Sequence, residues 1–225
     1  MAGDGQGMYE GSYLASLRRD NSLDMRGFVV NQDNFDLAQK FLASPDYVQV
    51  EYDADSGGLM AKQKGHSSKK QNGRDTGKVA EIECEKQLYK DGHSVILLAN
   101  LKNAKGNSIT SLDMELDGRV MDIASILNKD SNISNILSRK TKQIADYLIN
   151  RRNRKICDSV CLYYADSTFF DEQKLIDGIS NLYSKIGKEK YPKEWLINNI
   201  VCVIKGQKET KEYTIETIKP IHRSE

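Results

Sequence analysis

The spacing of apolar positions changes repeatedly along this chain, and each change marks a new element. Over residues 34–43 (NFDLAQKFLA), Phe35, Leu37, Ala38, Phe41 and Leu42 recur at helical spacing, with Asn34 as the candidate cap and Ser44-Pro45 as the stop. Tyr47 to Tyr52 (YVQVEY) alternates and predicts a strand. Asp53 to Gly58 turns the chain, and Leu59 to Ala61 predicts a short strand pairing back. Residues 62–78 contain no apolar residue and predict a polar, basic loop or an internal boundary. Val79 to Tyr89 predicts a helix with Ala80, Cys84 and Leu88 along one side, stopped at Asp91-Gly92. His93 to Ala99 (HSVILLA) predicts a buried strand. After a loop, Ser111 to Leu116 and Arg119 to Ile126 predict two strands around Asp117-Gly118, a strong two-residue hairpin signal. Ile133 to Asn150 follows as a helix with Ile136, Leu137, Ile144, Ala145 and Leu148 facing inward. Then come a strand at Ser159 to Ala165, a helix at Phe170 to Ile186, a strand at Ile197 to Ile204 and an edge strand at Glu212 to Ile218.

From Val79 the order is α-β-β-β-α-β-α-β-β, which predicts an α/β fold with a mixed central sheet and an acidic β-hairpin flanked by helices. The chain divides into an irregular arm (1–30), a helix–strand segment with a basic loop (31–78) and an α/β domain (79–225). The 225 residues suit one large domain or one with an appendage. No apolar run approaches the roughly 18 residues of a membrane span. The N-terminus (MAGDGQGMYEGSYL) lacks the basic-then-apolar order of a secretory signal. The expected place of action is therefore the cytoplasm, with delivery from a producer cell by a route that uses no signal peptide. Net charge is +1, so any nucleic-acid partner must be held by a local patch rather than by global basicity. The four cysteines form no CxxC pair and read as buried thiols.

The hairpin reads SLDMELDGRVMDIASI. Asp113 is on its first strand and Asp122 on its second, and Glu115 and Asp117 share the parity of Asp113. If Asp117-Gly118 is a two-residue turn, Leu116 faces Arg119 and, counting back, Asp113 faces Asp122. Two acids close together across a hairpin repel unless a proton or a cation lies between them. On a one-sided sheet the same acids would simply face water. A divalent ion such as Mg²⁺ takes one or two carboxylates plus water and phosphate oxygens, so Asp113 and Asp122 are candidate metal ligands.

Helix, strand, acidic hairpin, helix and strand in this order resemble the PD-(D/E)XK, or restriction-endonuclease-like, core over residues 79–205. The nearest likeness is to nuclease toxin domains of contact-dependent growth-inhibition and related polymorphic toxin systems. Residues 1–78 resemble material from polymorphic-toxin or mobile-element proteins of gut Bacteroidales. The resemblance implies metal-assisted hydrolysis of phosphodiester bonds in tRNA or DNA. It implies Glu81 (or Glu85, one turn on) as the helix acid, Asp113 and Asp122 as ligands of Mg²⁺ or another divalent metal, and an immunity protein as partner. The motif asks for Lys at position 124, where this chain has Ala124. Three explanations stand side by side. The lysine has moved to the following helix, where Lys140 and Lys142 are candidates. Or the domain is a catalytically inactive nucleic-acid- or partner-binding module of a mobile element or phage-like particle. Or the fold is another toxin type, such as the barnase/EndoU/colicin-like group, with His66 or His93 as general acid or base on a ribose hydroxyl.

Basic residues cluster after the hairpin. Between positions 139 and 155 lie Arg139, Lys140, Lys142, Arg151, Arg152, Arg154 and Lys155, opposed only by Asp146. Arg139, Arg151 and Arg152 here, and Lys69 and Lys70 in the basic loop, are the candidate nucleic-acid contacts; a solvated helix face and a soluble loop explain them equally. His93, at a strand start, suits a capping or core-edge role, and His222 lies in the tail. Three scattered histidines do not make a zinc site. No phosphate-binding glycine loop and no nucleophile elbow are present.

Overall fold

Eight strands lie in one sheet in the order in which they occur in the chain. They are β1 (Tyr47–Tyr52), β2 (Leu59–Gln63), β3 (Ser94–Leu97), β4 (Met114–Leu116), β5 (Arg119–Ile126), β6 (Ser159–Tyr164), β7 (Asn199–Ile204) and β8 (Lys211–Thr214). Four α-helices accompany them among the described residues: α1 (Gln32–Leu42), α2 (Thr76–Lys90), α3 (Ile133–Asn150) and α4 (Glu172–Tyr183). This is a computed structural model, and it describes residues 29–66, 76–102, 105–150, 157–184 and 197–214. Nearly all of the expected arm, Lys69, Lys70, Arg151, Arg152, and the end of the expected last strand lie outside the described residues.

The sheet is mixed. β1 and β2 are antiparallel, β2 and β3 parallel, β3, β4 and β5 an antiparallel meander, β5, β6 and β7 parallel, and β8 antiparallel to β7. Because β2 pairs with β3, the segment before residue 78 and the segment after it share one ladder.

Two helix layers sandwich the centre. On one face Ala80, Cys84 and Leu88 of α2 pack on Met121, Ile123, Cys161 and Tyr163. On the other, Ile133, Leu137 and Ile144 of α3 and Leu175 and Ile179 of α4 pack on Val120, Ala124, Val160 and Leu162. Successive residues of β5 and β6 thus alternate between the two cores. All six residues of β6 are buried, as a strand covered on both sides requires. Each such Val or Leu contributes roughly 1.5–3 kcal/mol of burial.

The hairpin turn has the geometry that its sequence implies. Leu116 pairs with Arg119, and Asp117 and Gly118 have φ of 47° and 84°, the two left-handed residues of a type I′ turn.

Three local details differ from the sequence reading. The cap of α1 is Asn31, whose side chain accepts from the Asn34 amide at 3.1 Å. Asn34 is instead buried and donates to the Gly57 and Gly92 carbonyls, tying α1 to two turns. Helix α2 starts at Thr76, inside the stretch expected to be loop. β4 starts only at Met114, so Asp113 precedes the strand it was expected to occupy.

Candidate active site

The early end of β4 sets the geometry of Asp113. Its main-chain carbonyl accepts from Leu98 N–H at 3.0 Å, on the β3 side. Its side-chain Oδ2 accepts from Ile123 N–H at 2.8 Å, on the β5 side. The carboxylate therefore takes the place of a main-chain acceptor in the plane of the sheet, where the strand is missing. From there it is within reach of both faces.

Behind Asp113, on the α3 side, is Asp122 of β5. It shares the parity of Val120 and Ala124 and is 1% exposed. Lys140 of α3 reaches it, Nζ to Oδ2 at 2.7 Å, and is itself buried at 6% exposed. Burial, and then the charge and hydrogen bond of Asp113, push the Asp122 carboxyl well above the usual carboxylate range; Lys140 opposes this without cancelling it. Two carboxyls against one ammonium leave one negative charge too many when both are ionised. A shared proton or a further cation resolves it.

In front of Asp113, on the α2 side, is a cavity of about 360 Å³. Its wall includes Glu81 and Glu85 of α2 beside Asp113, and Lys62 of β2 with Lys78 and Lys86 of α2. Positions 78, 81, 82, 85 and 86 follow the 3.6-residue period, so they form one stripe of the helix, beside the apolar stripe of Ala80, Cys84 and Leu88. Burial raises the Glu85 carboxyl to about 7, helped by the charges of Asp113 and Glu81.

His66 also lines this cavity. Its Nδ1 lies 2.8 Å from the Leu98 carbonyl, which can only accept, so Nδ1 carries the proton and Nε2 is the ring's remaining polar atom. Burial holds His66 below its ordinary pKa, assisted by Lys62 and Lys78.

Thus Asp113, Asp122 and Lys140 are brought together, with Glu81 and Glu85 across the cavity. Lys142 and Arg139 are exposed on α3 and do not line the cavity. Ala124 is buried in the α3-side core. His93 is far along the hairpin, paired with Asp117 at 2.7 Å. Lys62 belongs to the basic loop patch legible in the sequence, with Lys64, Lys69, Lys70 and Arg74; Lys78 and Lys86 were not legible as site residues, and a charged stripe on α2 at helical spacing was the signal available for them.

No three His, Cys, Asp or Glu side chains among the described residues form a ready-made metal cage. The donors at this site still suit a hard cation that keeps most of its water. They are carboxylate oxygens; burial first, and then the neighbouring carboxylates, raise Glu85 and Asp122. Asp113 is the common neighbour, with Glu85 on the open side and Asp122 on the buried side.

No family model matches this chain. No curated protein matches it in sequence. Among solved structures it is similar to a CdiA-CT/CdiI toxin and immunity complex from Burkholderia pseudomallei, with a TM-score of 0.42 and 10% identity, over 68% of this chain and 98% of that one.

Proposed function

We propose that this chain is a metal-dependent nuclease domain of toxin-effector type that hydrolyses phosphodiester bonds in RNA or DNA. The observation that carries this reading is the 2.7 Å contact of Lys140 with Asp122 beside Asp113. Position 124 lacks the lysine of the nuclease motif, and helix α3 puts a buried ammonium on the motif acid instead.

Asp113, with Glu85 or Glu81 across the cavity, would hold a divalent cation, and Asp122, behind Asp113 and bonded to Lys140, would add its charge from the buried side. Bound there, it would supply an acidified water and positive charge beside the scissile phosphate. The protein's own groups do the rest. Asp113 is fixed by Ile123 N–H and cannot swing away. Lys140 places a positive charge at the buried end of the site, where low dielectric strengthens its effect on a developing anion. Glu85, whose carboxyl is raised to about 7 without a cation, would be drawn to its charged form by one. In this reading the domain acts in the cytoplasm of a target cell and is held in check by an immunity protein.

The test is cleavage of total tRNA and of plasmid DNA, with Mg²⁺ or EDTA, by the wild-type protein and Asp113→Asn. Metal-dependent cleavage lost in the variant supports the reading and names the substrate. Cleavage that persists in EDTA shifts the chemistry to His66. No cleavage of either polymer by folded protein leaves an inactive binding module.

A further inference from the structure

The cavity wall faces its acids with lysines drawn from two separate elements. Lys62 comes from β2, and Lys78 and Lys86 come from α2. Lys78 and Lys62 both act on Glu85 and on His66, which places them within electrostatic range of the site. Against these three ammoniums stand three carboxylates of the same cavity, Glu81, Glu85 and Asp113. As it stands, the cavity therefore offers a polyanion almost no net charge. A divalent cation among the carboxylates changes the sum by two and turns the lysine wall into an anion site.

We propose that Lys62, Lys78 and Lys86 hold the phosphates flanking the scissile bond, and that they do so only after a divalent cation has bound to the carboxylates they face. This deepens the nuclease reading and rests on it. The volume, about 360 Å³, is at the lower end of small-ligand sites, which span roughly 300–1,000 Å³. That is room for a nucleotide, not a duplex. His66 supports the role: its ring is pinned through Nδ1 to Leu98, leaving Nε2 for a hydrogen bond to sugar or phosphate. The basic side of α3, with Arg139 and Lys142, belongs to a helix packed on the other face of the sheet, so it does not extend this wall.

The experiment measures binding separately from cleavage. Fluorescence anisotropy follows a short labelled RNA and a short labelled DNA in EDTA and in Ca²⁺, with probe integrity checked on a gel. The proteins are wild type, the double variant Lys62→Gln/Lys86→Gln, and Arg139→Gln, each with its thermal midpoint recorded to show that it is folded. The proposal expects Ca²⁺ to tighten wild-type binding about tenfold or more. It expects the double variant to lose most of that gain. Its slope of log affinity against log salt should fall by about 1.4 on single strands, from about 0.7 for each lost phosphate contact. Arg139→Gln should bind like wild type. Equal affinity in EDTA and Ca²⁺ overturns the proposal, as does a folded double variant that binds like the parent. Loss of binding in Arg139→Gln alone moves the interface to α3 and also overturns it. Cation-dependent binding through the lysines with no cleavage in Mg²⁺ would sink the nuclease reading while leaving the lysine wall as a binding surface.

Discussion

Lys140 of α3 and Asp122 of β5 form a buried ion pair, Nζ to Oδ2 at 2.7 Å, with both side chains under a tenth exposed. The pair couples the helix to the acidic hairpin. Lys140→Met should cost about 3–5 kcal/mol, because it leaves a buried carboxylate facing Asp113 without its cation. The cost should be larger at pH 8 than at pH 5, since Asp122 escapes it by taking up a proton. Denaturant unfolding at the two pH values measures this, and equal losses at both would refute the electrostatic account. Adding Asp122→Asn should restore part of the stability but no activity.

Asp113→Asn keeps an acceptor for Ile123 N–H and so should leave the fold intact. It removes the charge shared between the two faces. Cleavage should fall by at least about 10²-fold, the upper end of losses seen when a metal site's carboxylate support is removed. A folded variant that retains full activity would exclude Asp113 from the site.

Glu85 provides a pH prediction. Its folded-state carboxyl sits at about 7 against an ordinary value of 4.5, so the native state binds the extra proton. Its contribution to stability therefore falls as pH rises from about 4.5 to 7. Glu85→Gln should stabilise the metal-free protein at pH 7.5 by as much as about 3 kcal/mol, at 1.36 kcal/mol per pKa unit, and by little at pH 4.5. The same change should weaken stabilisation by added Mg²⁺. Thermal melts across pH, with and without the ion, check both parts.

The His93–Asp117 pair at the hairpin tip has linkage of both signs: His93 behaves like Glu85, and Asp117 the opposite way. The hydrogen bond to Asp117 raises His93. Burial alone would raise Asp117, but its bonds to His93 and to Ser94 N–H hold it low. The pair's contribution is thus fully present between about the two ordinary values, 3.8 and 6.5, and is lost at higher pH as His93 deprotonates. Asp117→Asn keeps the left-handed turn, because Asn-Gly suits type I′. It should cost less than about 1 kcal/mol, since the Asp117 side chain is 43% exposed and solvent screens the pair. It should flatten the stability profile above pH 6.5. An unchanged profile would show that another group titrates there.

Gly58 has no room for a side chain. A Cβ there would lie 1.9 Å from the Tyr89 carbonyl oxygen at the end of α2. Gly58→Ala must displace main chain, so a loss of at least about 1–3 kcal/mol is expected. Because α2 carries Glu81 and Glu85, activity should fall with it. A neutral substitution on unfolding would show that the turn yields freely.

Much of the architecture was legible before any coordinates. β1, β5 and α3 have the limits read from the sequence: β1 from its alternation, β5 from the Asp117-Gly118 turn that precedes its apolar run, and α3 from a long 3.6-residue period. The Asp117-Gly118 turn was legible because few residue pairs tolerate two left-handed conformations in succession. The acids Asp113 and Asp122 and the lysine Lys140 were nameable from local order in the chain. Their contact was not. Whether Lys140 or Lys142 meets Asp122 depends on the rotation of α3 over the sheet, which Leu137, Ile144 and Tyr147 set through packing. That Asp113 lies in the sheet plane depends on β4 stopping one residue short of it. The lysine wall was hidden for the same reason: Lys62 and Lys86 are far apart in sequence, and only the docking of α2 over β3 and β5, with β2 paired to β3, puts them around one cavity.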